Sequence, residues 1–248
     1  MHDRVCLIVP CFNEAHRLDL PRFEAAAAAG VRFVFVDDGS TDGTADAVRR
    51  CANDHLMVIR LERNSGKAEA VRQGILRAAR LPFYAHLDWI GFWDADLSTP
   101  LDELRHFVGY PAFCGMHADA VFGSRVLRLG SRVRRRPVRH YVGRIFVTVS
   151  SNLLGVLAYD SQCGAKLFRP ALAEKAFADP FVSRWLFDLE VLMRVGDAAV
   201  LEYPVMAWSE VGGSKFRMLP NIWPTVRDLV RLRLKYGSRR PPVDVSAP

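Results

Sequence analysis

Four short apolar runs in the first half of the chain, Val5 to Val9, Val31 to Val36, Leu56 to Leu61 and Ile90 to Trp93, alternate with segments of helical spacing. Two of the runs end in aspartates: Asp37-Asp38 follows the second, and Asp94 and Asp96 follow the fourth. Strands alternating with helices build a mostly parallel sheet. Such sheets bind ligands in the crevice beyond the carboxyl ends of their strands, so the four acids are expected to share one crevice. Carboxylates crowded together repel unless something cationic or hydrogen-bonding lies among them. A divalent metal and a nucleotide meet that requirement.

The rest of the first half fits the alternation. Leu18 to Ala29 reads as a helix closed by Gly30, Asp42-Gly43-Thr44 opens a helix through Arg50 with Asp42 or Thr44 as its cap, and Gly66 to Arg80 forms a third. Ser98-Thr99-Pro100 is expected to start another, with Pro100 in the first turn. After Gly123 the alternation breaks down. Helices are expected around Ala171 to Phe177 and Trp185 to Val195, and short strands near Val200 to Tyr203 and Val205 to Trp208. No internal repeat is visible.

With 248 residues, half of them hydrophobic, and mean hydropathy near zero, the chain reads as a soluble α/β protein with no spanning helix or signal segment, and a cytoplasmic location is expected. Five cysteines without CxxC spacing indicate neither a disulfide framework nor a zinc site. Charge is unevenly placed. Residues 120–159 hold eight arginines and no acid, and residues 211–248 hold eight Lys or Arg against two aspartates, so these segments carry +14 and the remainder −7.

Motifs follow in a fixed order: Pro10-Cys11-Phe12-Asn13-Glu14, Asp37-Asp38-Gly39-Ser40-Thr41-Asp42-Gly43-Thr44, Asn64-Ser65-Gly66-Lys67 and Asp94-Ala95-Asp96-Leu97-Ser98-Thr99-Pro100. In order and spacing they resemble the family 2 glycosyltransferases with the GT-A fold, a Rossmann-like, mostly parallel sheet flanked by helices. The resemblance continues through Gly123-Ser124-Arg125, Asp160 to Phe168, Trp185 to Glu190 and Trp208 to Lys215, where it is nearest to dolichyl-phosphate β-glucosyltransferases and, more broadly, polyprenyl-phosphate glycosyltransferases. It implies a catalytic domain over 1–216 and a basic amphipathic C-terminal helix and tail over 217–248. Ser98 stands where mannose-specific relatives often carry Gln, which weakens a third metal ligand and the case for mannose.

The resemblance implies an inverting transfer of a hexose from a nucleoside-diphosphate sugar, UDP favoured, to a polyprenyl phosphate. Mg²⁺ or Mn²⁺ would neutralise the leaving diphosphate, with Asp96 as principal ligand and Asp94 contacting the metal or the donor ribose. Asp37 and Asp38 match the nucleotide-binding pair. Pro10 and Asn13 would frame base and ribose, and Glu14 would either join them or make a structural hydrogen bond. Lys67 either faces phosphate at a helix N-terminus or is a surface cation. Arg125 is placed to clamp phosphate bidentately, and Arg136 and Arg139 match the paired arginines near donor and acceptor phosphates. Gln162 belongs to a closely packed block beside the site. Asp188 matches the base position of many inverting relatives; a hydroxyl acceptor would need that base, and an already ionised phosphate scarcely would.

Two amphipathic stretches suggest peripheral binding to an anionic membrane at the inner face of the cell membrane. Arg132 to Arg144 precedes the apolar run Ile145 to Leu157, and Leu219, Ile222, Trp223, Val226, Leu229, Val230 and Leu234 lie on an approximate helical face with Arg227, Arg231 and Lys235 elsewhere around it. The same faces would alternatively pack on the catalytic domain or in a homodimer. A soluble hydroxyl acceptor and a non-catalytic nucleotide-sugar sensor are the other readings. Nucleic-acid binding is not expected, because the chain has no recognisable module for it and its crevice is acidic.

Overall fold

The computed structural model describes residues 4–134, 137–210 and 222–239, and the side chains of residues 135–140 and 222 lie outside that description. The first half runs β1 (Val5–Cys11), α1 (Leu20–Ala28), β2 (Arg32–Asp37), α2 (Thr44–Arg50), β3 (Leu56–Arg60), α3 (Lys67–Ala78), β4 (Trp89–Trp93), α4 (Leu104–Phe113) and β5 (Ala120–Ser124). The second half runs β6 (Arg132–Arg134), α5 (Pro137–Leu154), β7 (Ala165–Phe168), α6 (Pro170–Phe177), α7 (Phe187–Arg194), β8 (Val200–Pro204), β9 (Ala207–Ser209) and α8 (Ile222–Tyr236).

Seven strands form one sheet in the order β3-β2-β1-β4-β7-β5-β8, and β6 pairs with β9 in a small second sheet. The chain winds outward from β1 to β3, then returns to place β4 on the other side of β1, which creates a switch point between β1 and β4. β7 departs from the parallel pattern: it lies antiparallel between β4 and β5. That inversion brings the amino end of β7 to the edge where β1, β2, β4 and β5 present their carboxyl ends.

Apolar side chains fill both faces of the sheet. On one face Phe23 of α1 meets Phe33 and Phe35 of β2 edge to face. On the other, Phe92, Phe122, Phe168 and Phe187 join residues of α3, α6 and α7, and Leu229 and Leu232 of α8 belong to the same core. The N-cap position of α2 is Gly43, with no side-chain cap; Asp42, one residue further out, accepts the N–H of Thr44, the first residue of the helix, on Oδ1 at 3.1 Å.

Three expectations change. Ser98 to Pro100 forms a turn rather than a helix start, and a short 3₁₀ turn, Leu101–Glu103, leads into α4. Trp93 holds that turn by donating its indole N–H to the Thr99 carbonyl at 2.7 Å. The basic stretch after Gly130 resolves into β6 and the 18-residue α5. In the last helix the single expected apolar face divides in two: Leu229 turns inward, Trp223, Val226, Val230 and Leu234 turn outward, and Leu219 lies outside the described residues. No helix among the described residues is long and apolar enough to cross a membrane.

Candidate active site

The turn after β4 is tightly wound. Leu97 adopts φ 50°, a conformation rare for a branched side chain, and its N–H bonds the Asp94 carbonyl at 3.1 Å. Asp96 Oδ1 accepts the Ser98 N–H at 3.0 Å. Asp94 rests on Gly164, the residue before β7: a Cβ there would lie 1.8 Å from Asp94 Oδ2, so only glycine admits the carboxylate.

Lys67 reaches across from the first turn of α3 and donates to Asp94 Oδ1. Its side chain is part-exposed at the crevice and its ammonium is paired with that carboxylate. Burial opposes its charge, but Asp94, Asp188 and Asp96 outweigh that cost and raise its pKa. Asp188, in the first turn of α7, is buried and accepts a 2.5 Å hydrogen bond from Lys166 Nζ. Lys166 has no exposed surface. Its other contacts are the carbonyls of Ser161 at 2.9 Å and Cys163 at 2.7 Å, with the rings of Phe92 and Phe122 about it. Burial raises the Asp188 pKa, and the two lysines partly offset it. Asp94, Asp96, Asp188, Lys67 and Lys166 thus form one charge cluster.

The Asp37-Asp38 pair divides its work. Asp38 is committed to the backbone, accepting the N–H groups of Ser65 and Gly66 at 2.7 Å each, while burial raises its pKa against those bonds. The amides immediately before α3 are therefore occupied by Asp38 rather than open to phosphate. Gly66 adopts φ 94° with Arg184 packed where a side chain would stand. Asp37 Oδ1 accepts the Ser40 N–H at 3.1 Å; Oδ2 is buried without a hydrogen bond among the described residues, although Arg60 Nε stands 3.3 Å away. Asp37 is thus tied to the Ser40 amide and to Arg60, and Asp38 to the turn before α3.

Pro10 lies at the end of β1, and the loop after it is latched to the 40–44 loop. Asn13 takes φ 52°, donates its N–H to Ser40 Oγ and accepts the Thr41 N–H on Oδ1, each at 2.9 Å. Asp42 Oδ2 accepts the Ala15 N–H at 3.0 Å. The Glu14 carboxylate closes on Arg17 at 2.6 and 2.8 Å, which is the structural alternative for that residue.

Arg125 does not present a free fork. Nε and Nη2 grip Asp160 at 2.6 and 2.7 Å, and the guanidinium stacks over Trp208. Glu202 fixes Asp160 in turn by accepting the backbone N–H groups of Tyr159 and Asp160. Beside this pair a cleft is lined by Arg125, Arg144, Tyr159, Asp160 and Gln162 with Phe146 and Val147 of α5. Gln162 Nε2 is buried with no hydrogen-bond partner among the described residues. Arg136 lies outside the described residues, and Arg139 lies on α5 with its side chain outside them. Asp160, Gly164 and Lys166 fall within the Asp160 to Phe168 block, which gave their neighbourhood but not their partners, and Glu202 lies outside every motif. A lone lysine in the otherwise apolar strand Ala165–Phe168 was the available signal, because such a charge needs a buried partner.

Among the described residues no three His, Cys, Asp or Glu side chains are grouped to hold a metal. Asp94 and Asp96 nonetheless suit a hard cation with few protein ligands: both are part-exposed at the crevice, and phosphate oxygens of a donor would complete the shell.

The acidic turn thus lies at the switch point of the sheet, in one cluster with a carboxylate held by a buried lysine. The chain belongs to Glycosyl transferase family 2, whose model matches residues 6–177. Its similarity to individual proteins runs further. The human Dolichyl-phosphate beta-glucosyltransferase is 29% identical, covering 94% of this chain and 76% of its own. A Dolichyl-phosphate beta-glucosyltransferase of Trichomonas vaginalis is 30% identical, covering 94% and 73%. The fold is that of the Mycobacterium tuberculosis glucosyl-3-phosphoglycerate synthase solved with Mn²⁺ and UDP-glucose, at TM-score 0.65 and 18% identity over 95% of this chain and 79% of that one. The mostly parallel GT-A architecture is thereby established.

Proposed function

We propose that this enzyme transfers glucose from UDP-glucose to a polyprenyl phosphate, with inversion, at a membrane surface. The observation that carries the reading is the extent of the likeness to dolichyl-phosphate glucosyltransferases: it covers 94% of the chain, and so includes the half holding Lys166 and Asp188 that lies partly beyond the family match.

Asp37 and the latched loop at Asn13 bind the nucleoside, with Pro10 shaping the floor. Mg²⁺ or Mn²⁺ held by Asp96, with Asp94, would supply Lewis-acid neutralisation of the diphosphate. Lys67 fixes the Asp94 carboxylate and brings a positive charge to the same place. The acceptor phosphate enters the cleft at Arg144 and Gln162, whose wall the Arg125–Asp160 pair holds, with Arg136 and Arg139 assigned to its approach. Its oxygen attacks the anomeric carbon from the face opposite the diphosphate; the new C–O bond forms as the bond to UDP breaks, and UDP leaves. Asp188 orients the acceptor oxygen or accepts its proton, and no enzyme nucleophile is assigned. The lipid tail follows the exposed apolar residues Tyr141, Ile145 and Val149 of α5, and the protein sits peripherally on the bilayer.

Transfer from UDP-[¹⁴C]glucose to a short-chain polyprenyl phosphate is the test, run beside free sugars and with GDP- and dTDP-glucose as competing donors. Labelled lipid product lost in Asp96→Ala and Asp188→Asn is expected. Label in a free sugar and none in lipid would replace the acceptor, and no transfer from any donor would remove the reading.

A further inference from the structure

The C-terminal helix α8 has two working faces. Outward, Trp223, Val226, Val230 and Leu234 recur every three or four residues as one exposed stripe, with Trp223 at 81% and Leu234 at 80% exposure. Arg227 and Arg231 flank it, and the helix's one acid, Asp228, points inward. An apolar stripe bordered by cations is complementary to the headgroup region of an anionic bilayer.

Inward, the helix is wired to the element that carries Asp188. Asp228 Oδ2 accepts the Ser183 hydroxyl at 2.8 Å, and Ser183 Oγ accepts the N–H groups of Trp185 at 3.2 Å and Leu186 at 2.9 Å. Those amides immediately precede α7, whose second residue is Asp188. Glu190, fully buried in α7, accepts the Tyr236 hydroxyl at 2.8 Å and the Val182 N–H at 2.7 Å. On its other oxygen Asp228 pairs with Arg227 at 3.2 Å and Arg231 at 3.6 Å. The cations bordering the stripe are thus two contacts away from the turn that leads into the Asp188 helix. Leu229 and Leu232 are the only buried apolar side chains described on α8, so the helix is held largely by these polar bonds.

We propose that seating α8 on an anionic bilayer fixes the first turn of α7 through Asp228 and Ser183, so that the membrane both recruits the enzyme and orders Asp188. Asp228 and Ser183 are positioning residues for the reaction proposed above, on which the catalytic part rests. A surface that binds the docked helix more strongly than the loosened one shifts that equilibrium toward the docked form. The coupling is reciprocal: a ligand that orders α7 also tightens membrane binding.

The test uses the full chain with acceptor-free vesicles of phosphatidylcholine alone or with 30% phosphatidylglycerol, reading amide hydrogen exchange over residues 182–195. Exchange there is expected to slow several-fold with anionic vesicles, and kcat toward a water-soluble short-chain polyprenyl phosphate to rise similarly with little change in donor KM. Asp228→Ala and Ser183→Ala should still sediment with the vesicles yet lose the response in exchange. Trp223→Ser with Leu234→Ser should lose sedimentation and response together. Vesicle binding that leaves 182–195 unchanged, or a response that survives Asp228→Ala and Ser183→Ala, overturns the coupling. A concentration-dependent dimer broken by Trp223→Ser, with no vesicle binding, would give the stripe to a second copy and overturn it too. Exchange needs no substrate, so a response without any transfer activity would refute the proposed reaction and leave the coupling standing.

Discussion

Asp94 and Asp188 belong to one charge cluster but are put there by different means. Asp94 sits on a turn that its own neighbours wind, with its side chain about a third exposed and paired with Lys67. Asp188 is buried and shares Lys166, a residue with no exposed surface drawn from a strand on the far side of β4. The Asp94 half of the site is therefore a part-exposed turn carrying charge, and the other half is an ion pair built into the core. Removing a surface carboxylate takes away chemistry. Removing one member of a buried pair also leaves an uncompensated charge.

The largest effect expected is on turnover. Asp96→Ala should lower kcat/KM by about 10³-fold, or about 4 kcal/mol of transition-state stabilisation, while the melting temperature stays within about 2 °C. Paired kinetics and thermal denaturation measure both. A matching loss of stability would show that the acidic turn is structural and erase the contrast.

Lys166→Met should do the opposite, costing about 3 kcal/mol of stability because Asp188 is left buried and unpaired. Adding Asp188→Leu should restore most of that stability and none of the activity. Denaturant titrations of the two single variants and the double provide the cycle. If the double variant is no more stable than Lys166→Met alone, the pair is not the unit described here.

Gly164 joins the halves, since its missing side chain is what lets Asp94 lie against the loop that Lys166 ties down. Gly164→Ala should displace the Asp94 carboxylate and reduce kcat/KM by about 10²-fold. The sharper readout is the apparent affinity for the divalent metal, which should fall with it. Unchanged metal affinity would mean that the turn is placed independently of β7.

What was legible in the sequence follows the same division. The alternation and the acidic turns are encoded within a few residues of one another, so period and motif suffice. Asp38 serving Ser65 and Gly66, and Arg125 closing on Asp160, join segments 27 to 35 residues apart. A chain met as a string shows a free guanidinium there, whereas the fold shows an occupied one. The inverted strand β7 had no local sign, because four residues read the same in either direction. The outer and inner faces of α8 were merged because helical spacing gives a stripe without saying what lies opposite.

The smallest effect expected lies at the end of the sheet away from the site, where a carboxylate is again part-exposed. Asp119 accepts the Ala199 N–H at 2.9 Å and pairs with His117, and those bonds, the first of them foremost, lower its pKa against the cost of burial. A carboxyl whose folded pKa lies below its unfolded value stabilises at pH above the unfolded value, and that stability is lost as pH falls through the folded one. Asp119→Ala should therefore cost about 1 kcal/mol at pH 7 and nothing once both forms are protonated. Activity should not change. Denaturation midpoints taken from pH 7 downward should converge for the two proteins in the acid range. A gap that persists undiminished into acid would assign the loss to packing instead of charge, making this site resemble the buried half rather than the exposed one.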